Sequence, residues 1–277
     1  LQIRKISDVV NDTKSYISDR HTGKERSLKV RSEKINSCFM NGFDWGHIIT
    51  IAGLSGSGKS TLVRQIIKEM VECNPTEKFD VLNFQFEMLG IDEVARDLSS
   101  KMKMSIKQLY SAEGTLDEQH LTAVDRYLDL IRQYPISVVD NLGTVSEIKD
   151  TILYYVSAND LIKEKRGLVV TLDHSLLVRG EDGETEKQTL DRLMHTMVLL
   201  KKYLSSIGCK VMFFILSQLN RDIESTERVT NPKLHYTNKN DLFGASSVYY
   251  SSDYVILMHR PAVIERLGNW YGPSKSG

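Results

Sequence analysis

Apolar positions along the chain recur with two different periods. Near the start, Ile3, Ile6, Val9, Val10, Tyr16 and Ile17 are spaced as on one helix face, with charged residues between them. This spacing predicts an amphipathic helix of roughly five turns, ending before His21-Thr22-Gly23. It leaves open whether that face packs on its own domain or on a neighbouring subunit. Residues 23–31 are polar and basic and read as a weakly structured connector. From Gly46 onward, short apolar runs alternate with longer amphipathic stretches. Strands are predicted at residues 47–51, 80–86, 136–139, 168–172, 211–216 and 254–258, and helices at 59–71, 91–101, 117–133, 145–163 and 189–206. Strands separated by helices imply an α/β fold with a mostly parallel sheet covered on both faces. Residues 179–187 and 222–240 are polar and read as solvated surface loops. The expected division is a helix at 1–22, a connector at 23–46 and one α/β domain at 47–277.

Composition narrows this picture only a little. The chain has 277 residues, enough for one large core or a main domain with a small appendage. With 41% hydrophobic and 26% charged residues it has the balance of a soluble globular protein, and no apolar run is long enough to span a bilayer. A membrane partner is therefore not expected. Lys plus Arg and Asp plus Glu number 36 each, so net charge offers no argument for nucleic acid, although a local basic surface remains open. Cys38, Cys73 and Cys209 lie far apart and form no CxxC pair, which argues against a disulfide framework or zinc site. A reducing, cytoplasmic setting fits best. The chain opens on Leu1 and a mixed polar stretch, which reads as a piece of a longer protein without a signal peptide.

Chemistry concentrates at the ends of the predicted strands. Gly53-Leu54-Ser55-Gly56-Ser57-Gly58-Lys59-Ser60, followed by Thr61, matches the P-loop pattern GxxxxGK[ST] in full. It lies between an apolar run and an amphipathic helix, the context the mechanism needs. The glycines let backbone N–H groups converge on phosphate oxygens at a helix N-terminus. Lys59 would reach the β- and γ-phosphates and the Ser60 hydroxyl would sit on Mg²⁺. ATP with Mg²⁺ is thus the expected ligand. A magnesium-holding carboxylate at the end of another strand is supplied by Asp173; Asp140 competes, but its strand is shorter and less apolar. Glu87 ends a further strand, where a carboxylate could act on an attacking water. An apolar strand delivers Ser217 and Gln218 to the same edge. Gln218 could bond a γ-phosphate or merely satisfy backbone groups.

Taken in order, these pieces resemble the ATPase domain of DnaB-type replicative helicases, a RecA-like family. The resemblance runs through the P-loop, Phe84-Gln85-Phe86-Glu87-Met88, the strand ending in Asp173, and Ser217-Gln218-Leu219-Asn220-Arg221. It continues through Leu116-Asp117-Glu118, 135–140, Asp241-Leu242-Phe243-Gly244 and 253–260, so it covers nearly the whole chain. It implies that Glu87 is the catalytic carboxylate and Gln218 the γ-phosphate sensor. It also implies that the first helix is a linker docking on an adjacent subunit of a hexameric ring, and that Phe243, Gly244, Ala245 and Ser246 belong to a loop tracking single-stranded DNA. A primase or helicase loader would be a partner, in a bacterial, phage or plasmid system. Three positions depart from the family. Phe243-Gly244 replaces a customary Arg-Glu, and His174 follows Asp173 where tyrosine is common, a change read as structural. The chain also ends at Pro273-Ser274-Lys275-Ser276-Gly277, before the strand that carries an arginine finger in trans, so slow hydrolysis is expected. The leading expectation is an ATP-driven motor on single-stranded DNA. The alternatives are a RecA- or KaiC-like recombinase, loader or regulator, and an assembly protein that binds nucleotide without hydrolysing it. A small-molecule kinase fits less well, since no Arg-rich lid is evident.

Overall fold

The structure, a computed structural model, describes residues 3–264; residues 273–277, on which the expectation about the finger-bearing strand falls, lie outside them. In chain order the elements are α1 (Ile6–His21), α2 (Glu33–Ser37), β1 (Ile48–Gly53), α3 (Lys59–Cys73), β2 (Phe79–Gln85), α4 (Gly90–Met102), α5 (Ile106–Leu109), α6 (Glu118–Ile131), β3 (Ile136–Val139), α7 (Val145–Ala158), β4 (Gly167–Asp173), α8 (Glu186–Ser206), β5 (Val211–Ser217), α9 (Thr226–Thr230), α10 (Ala245–Ser251) and β6 (Tyr254–Met258). Several 3₁₀ turns link them. The fold separates into two units, Leu1–Trp45 with Lys68–Glu77, and Gly46–Ile67 with Lys78–Gly277.

In the first unit, α1 buries none of its residues, and Ile6, Val10 and Ile17 all face solvent. Tyr16 Oη and Arg20 Nη1 tie the helix to the Asp44 carboxylate at 3.1 and 3.2 Å. The backbones of Leu28 and Phe43 exchange hydrogen bonds, and both side chains are fully buried. The buried Asn36 carboxamide closes the turn by bonding Val30 N–H and C=O.

The second unit holds a six-stranded, all-parallel sheet in the order β3-β2-β4-β5-β1-β6. β4 and β5 therefore lie between β1 and β2, and all four end at one edge. Every residue of β1, β2, β4 and β5 is buried, as a sheet covered on both faces requires. Alternate residues such as Leu168, Val170, Leu172, Phe213 and Ile215 share a core with Ile148, Ile152 and Val156 of α7 and Leu190, Leu193, Met197 and Leu204 of α8. Capping boxes start both helices, Thr144 with Glu147 and Thr185 with Gln188. The second box begins α8 three residues before the apolar spacing does. α7 stops at Ala158 rather than reaching 163, because Asp160 turns into the left-handed region at φ 49°.

Residues 222–240 are mostly exposed, as a surface segment should be, but they are not the expected irregular loop: 3₁₀ turns flank α9, with Ile223 and Val229 buried against Ile264, Leu54 and Val263. His235 is buried there too, bonded through Nε2 to the Val229 carbonyl at 2.8 Å. Among the described residues no helix is long and apolar enough to cross a membrane. The three cysteines are free, and burial pushes the Cys209 thiol up to about 11.

Candidate functional site

Parallel pairing fixes the geometry of the edge. Gln85 is level with Asp173, Ala52 with Ser217 and Gly53 with Met258. The P-loop, Glu87, Asp173 and Gln218 therefore leave the sheet side by side. The P-loop begins with a turn, Ser57 N–H donating to Leu54 C=O at 3.1 Å, and α3 follows, with Leu62 N–H bonded to Gly58 C=O. Gly56 and Gly58 have φ of 73° and 98°, a backbone that side chains rarely tolerate. At Gly53 a Cβ would stand 2.4 Å from Ser57 Oγ. Ser55, Gly56 and Thr61 are exposed, while Ser57 and Lys59 are buried. Nested backbone amides of this kind are a concavity for phosphate.

Lys59 Nζ donates to the carbonyls of Gly53 and Leu54 at 2.9 and 3.1 Å. Burial pushes its ammonium below the ordinary lysine value, and the carboxylates of Asp173 and Glu87 oppose that shift. Asp173 is 4% exposed. Burial raises its carboxyl above the usual range, the Ser60 hydroxyl bond pulls it back, and the Glu87 charge adds to the rise. Ser60 and Asp173, the two residues expected at magnesium, are therefore in direct contact. Asp140 is not with them: it ends the edge strand β3, is exposed, and accepts from Gly90 N–H at 3.1 Å.

The donor set fits Mg²⁺·ATP. Asp173 Oδ1 and Ser57 Oγ are buried and meet no hydrogen-bond partner among the described residues. The Ser60 hydroxyl and the Asp173 carboxylate would be the protein share of a Mg²⁺ whose other positions are filled by phosphates and waters. Among the described residues no group of three or more His, Cys, Asp or Glu could hold a metal ion by itself.

Glu87 is exposed, two residues beyond the end of β2, and its charge reaches Lys59, Asp173 and His174. The Gln218 carboxamide lies 3.4 Å from His174 Nε2. Burial lowers the His174 pKa, so the neutral ring can accept from Gln218. His174, expected from the sequence to be structural, sets its ring beside the Gln218 carboxamide. Arg260 was missed altogether. Its Nη1 donates to Gly56 C=O at 3.0 Å, setting a second cation on the P-loop from the end of β6. The arginine was visible after the last strand, but its partner lies 204 residues away in sequence.

The segment expected to meet DNA is tied to the same edge. Leu219 and Leu242 form an antiparallel bridge. Phe243 N–H donates to Gln218 C=O at 3.0 Å, and Asn220 N–H to Asp241 C=O at 2.6 Å. Gly244 is left-handed at φ 64°, where a Cβ would stand 2.6 Å from Leu190 Cδ2. Phe243 and Gly244 are half-buried, Ser246 is exposed, and Ala245 opens α10.

The model of the DnaB-like helicase C terminal domain matches residues 27–270. Among solved structures, the chain is similar to an ATPase domain, with a TM-score of 0.73 and 14% identity over 96% of this chain and 87% of that one. It is also similar to a DnaB-like replicative helicase whose structure was described with its interactions with primase, with a TM-score of 0.70 and 14% identity over 99% of this chain and 60% of that one. The curated proteins gave no match. A P-loop, two strand-end carboxylates and a glutamine on one parallel sheet edge agree with the match of the family model, and the chain belongs to the DnaB-like helicase C-terminal domain family, a helicase motor domain.

Proposed function

We propose that this motor works as a ring, most simply a hexamer, with ATP bound at subunit interfaces and single-stranded DNA in the centre. Residues Gly53, Ser55, Gly56, Ser57, Gly58, Lys59, Ser60 and Thr61 hold the phosphates, and Ser60 with Asp173 holds Mg²⁺. When bound, Mg²⁺·ATP supplies the phosphoryl group passed to water and a cation that neutralises its developing charge. Glu87, close enough to act on the Lys59 and Asp173 charges, accepts a proton from water. Lys59, fixed by two P-loop carbonyls, presents its charge without reorganising. Gln218 senses the γ-phosphate while His174 orients its carboxamide.

The observation that carries the motor reading is the pair of backbone bonds joining Gln218 and Asn220 to Phe243 and Asp241. A displacement of Gln218 is transmitted along them to the turn at 243–246. There the first amides of α10 lack intrahelical acceptors and suit DNA phosphates. The uncharged Phe243 and Gly244 side chains leave this to the backbone. Residues 1–22 act as the linker helix, 23–46 as the connector and 47–277 as the ATPase domain. The exposed Ile6, Val10 and Ile17 favour docking of α1 on a neighbouring subunit, since each such side chain gains about 1.5–3 kcal/mol on full burial. Primase is a partner by analogy with the helicase described with it.

Strand separation on a forked duplex with ATP tests this reading. Directional displacement of one strand is expected. Pairing of strands without displacement would indicate a recombinase, and turnover with no effect on DNA a regulator.

A further inference from the structure

The short helix α10 has two unlike faces. Val248 is fully buried in the main core, and Ser252, just past the helix end, bonds Thr50 Oγ1 at 2.7 Å. Between these two, Tyr249 and Tyr250 turn outward, 42% and 84% exposed. Their rings meet edge to face at 5.8 Å, and Lys239 Nζ stands 5.4 Å from the Tyr249 ring centroid. Such exposure forgoes the burial that aromatic rings normally gain. The helix itself carries no charged residue. Nearby acids are engaged elsewhere, Asp241 by Arg228 and Asp253 by Lys201. Lys239 pairs with no carboxylate among the described residues.

Two outward rings beside an available cation match single-stranded nucleic acid, whose bases stack on aromatic faces while its phosphates meet the charge. We propose that Tyr249, Tyr250 and Lys239 form a base-stacking platform for single-stranded DNA on α10, next to the turn at 243–246. The proposal rests on the DNA-translocating reading above and deepens it. Stacking supplies a contact that the uncharged Phe243-Gly244 side chains cannot make with phosphate. It also places the bases, and not only the backbone, on an element joined to Gln218 through Phe243 N–H.

The test uses the full chain with a slowly hydrolysed ATP analogue and Mg²⁺. Binding is read by fluorescence anisotropy on labelled oligothymidine and on an abasic strand of equal length. The wild type should favour oligothymidine by about tenfold or more. Tyr249→Ala combined with Tyr250→Ala should erase that preference and leave abasic binding unchanged. Tyr249→Phe with Tyr250→Phe should keep it, because the π faces remain. Lys239→Ala should lower the slope of log affinity against log salt by about one. An alanine pair that still prefers oligothymidine overturns the platform. So does an alanine pair that loses self-association in sedimentation together with DNA affinity, since the patch would then be a contact between copies. A wild type that binds both strands equally overturns the platform alone, whereas one that binds neither removes the DNA reading itself.

Discussion

Lys59→Ala is expected to abolish nucleotide turnover and to weaken ATP binding by about a hundredfold or more, as removal of one partner from a buried charge cluster does. The magnitude follows from the surroundings. Lys59 is 8% exposed and donates to two P-loop carbonyls, so its removal leaves the Gly53 and Leu54 oxygens without that donor. The carboxylates of Asp173 and Glu87 act on the same ammonium and would then face incoming phosphates with no positive charge between them. Calorimetric titration with ATP and Mg²⁺, alongside steady-state turnover, measures both effects. A thermal melt separates lost binding from lost folding. Affinity within a few-fold of wild type would remove Lys59 from the site.

Glu87→Gln should have a different signature: ATP affinity and self-association retained, with hydrolysis slowed by about 10²–10⁴-fold. The substitution keeps size and removes the negative charge, and with it the ability to take a proton. Glu87 is exposed, so the fold should be indifferent. Removing its charge also relieves the repulsion that helps raise the Asp173 carboxyl, which favours binding rather than opposing it. Asp140 offers no substitute base, being held by Gly90 N–H at the β3 edge. Single-turnover hydrolysis compared with equilibrium binding separates the two properties. Normal hydrolysis in this variant would show that Glu87 is not the base.

Much of this was legible in the sequence because it is local. The six strands show as short apolar runs, and buried parallel strands have no other way to read. The P-loop is contiguous, and Asp173, Glu87 and Gln218 each stand at or just beyond the end of such a run. What escaped depends on distant partners. Ile223 and Val229 are isolated among polar residues, and their burial comes from Leu54 and Ile264. Arg260 reaches the P-loop only because β6 pairs with β1. His174 acquires a role from Gln218, brought close by the neighbouring ends of β4 and β5. In residues 24–45, Leu28 and Phe43 meet across a single bridge, too short to leave a strand pattern. Helix ends moved where side-chain caps or a left-handed residue, rather than apolar spacing, decided them.

In the proposed motor, the bonds between residues 218–220 and 241–243 couple the strand-end nucleotide site to single-stranded DNA. Steady-state ATP turnover by the full chain, with and without saturating oligothymidine, tests it most directly. Several-fold stimulation by the DNA is the expected result, and a rate indifferent to it would contradict the coupling.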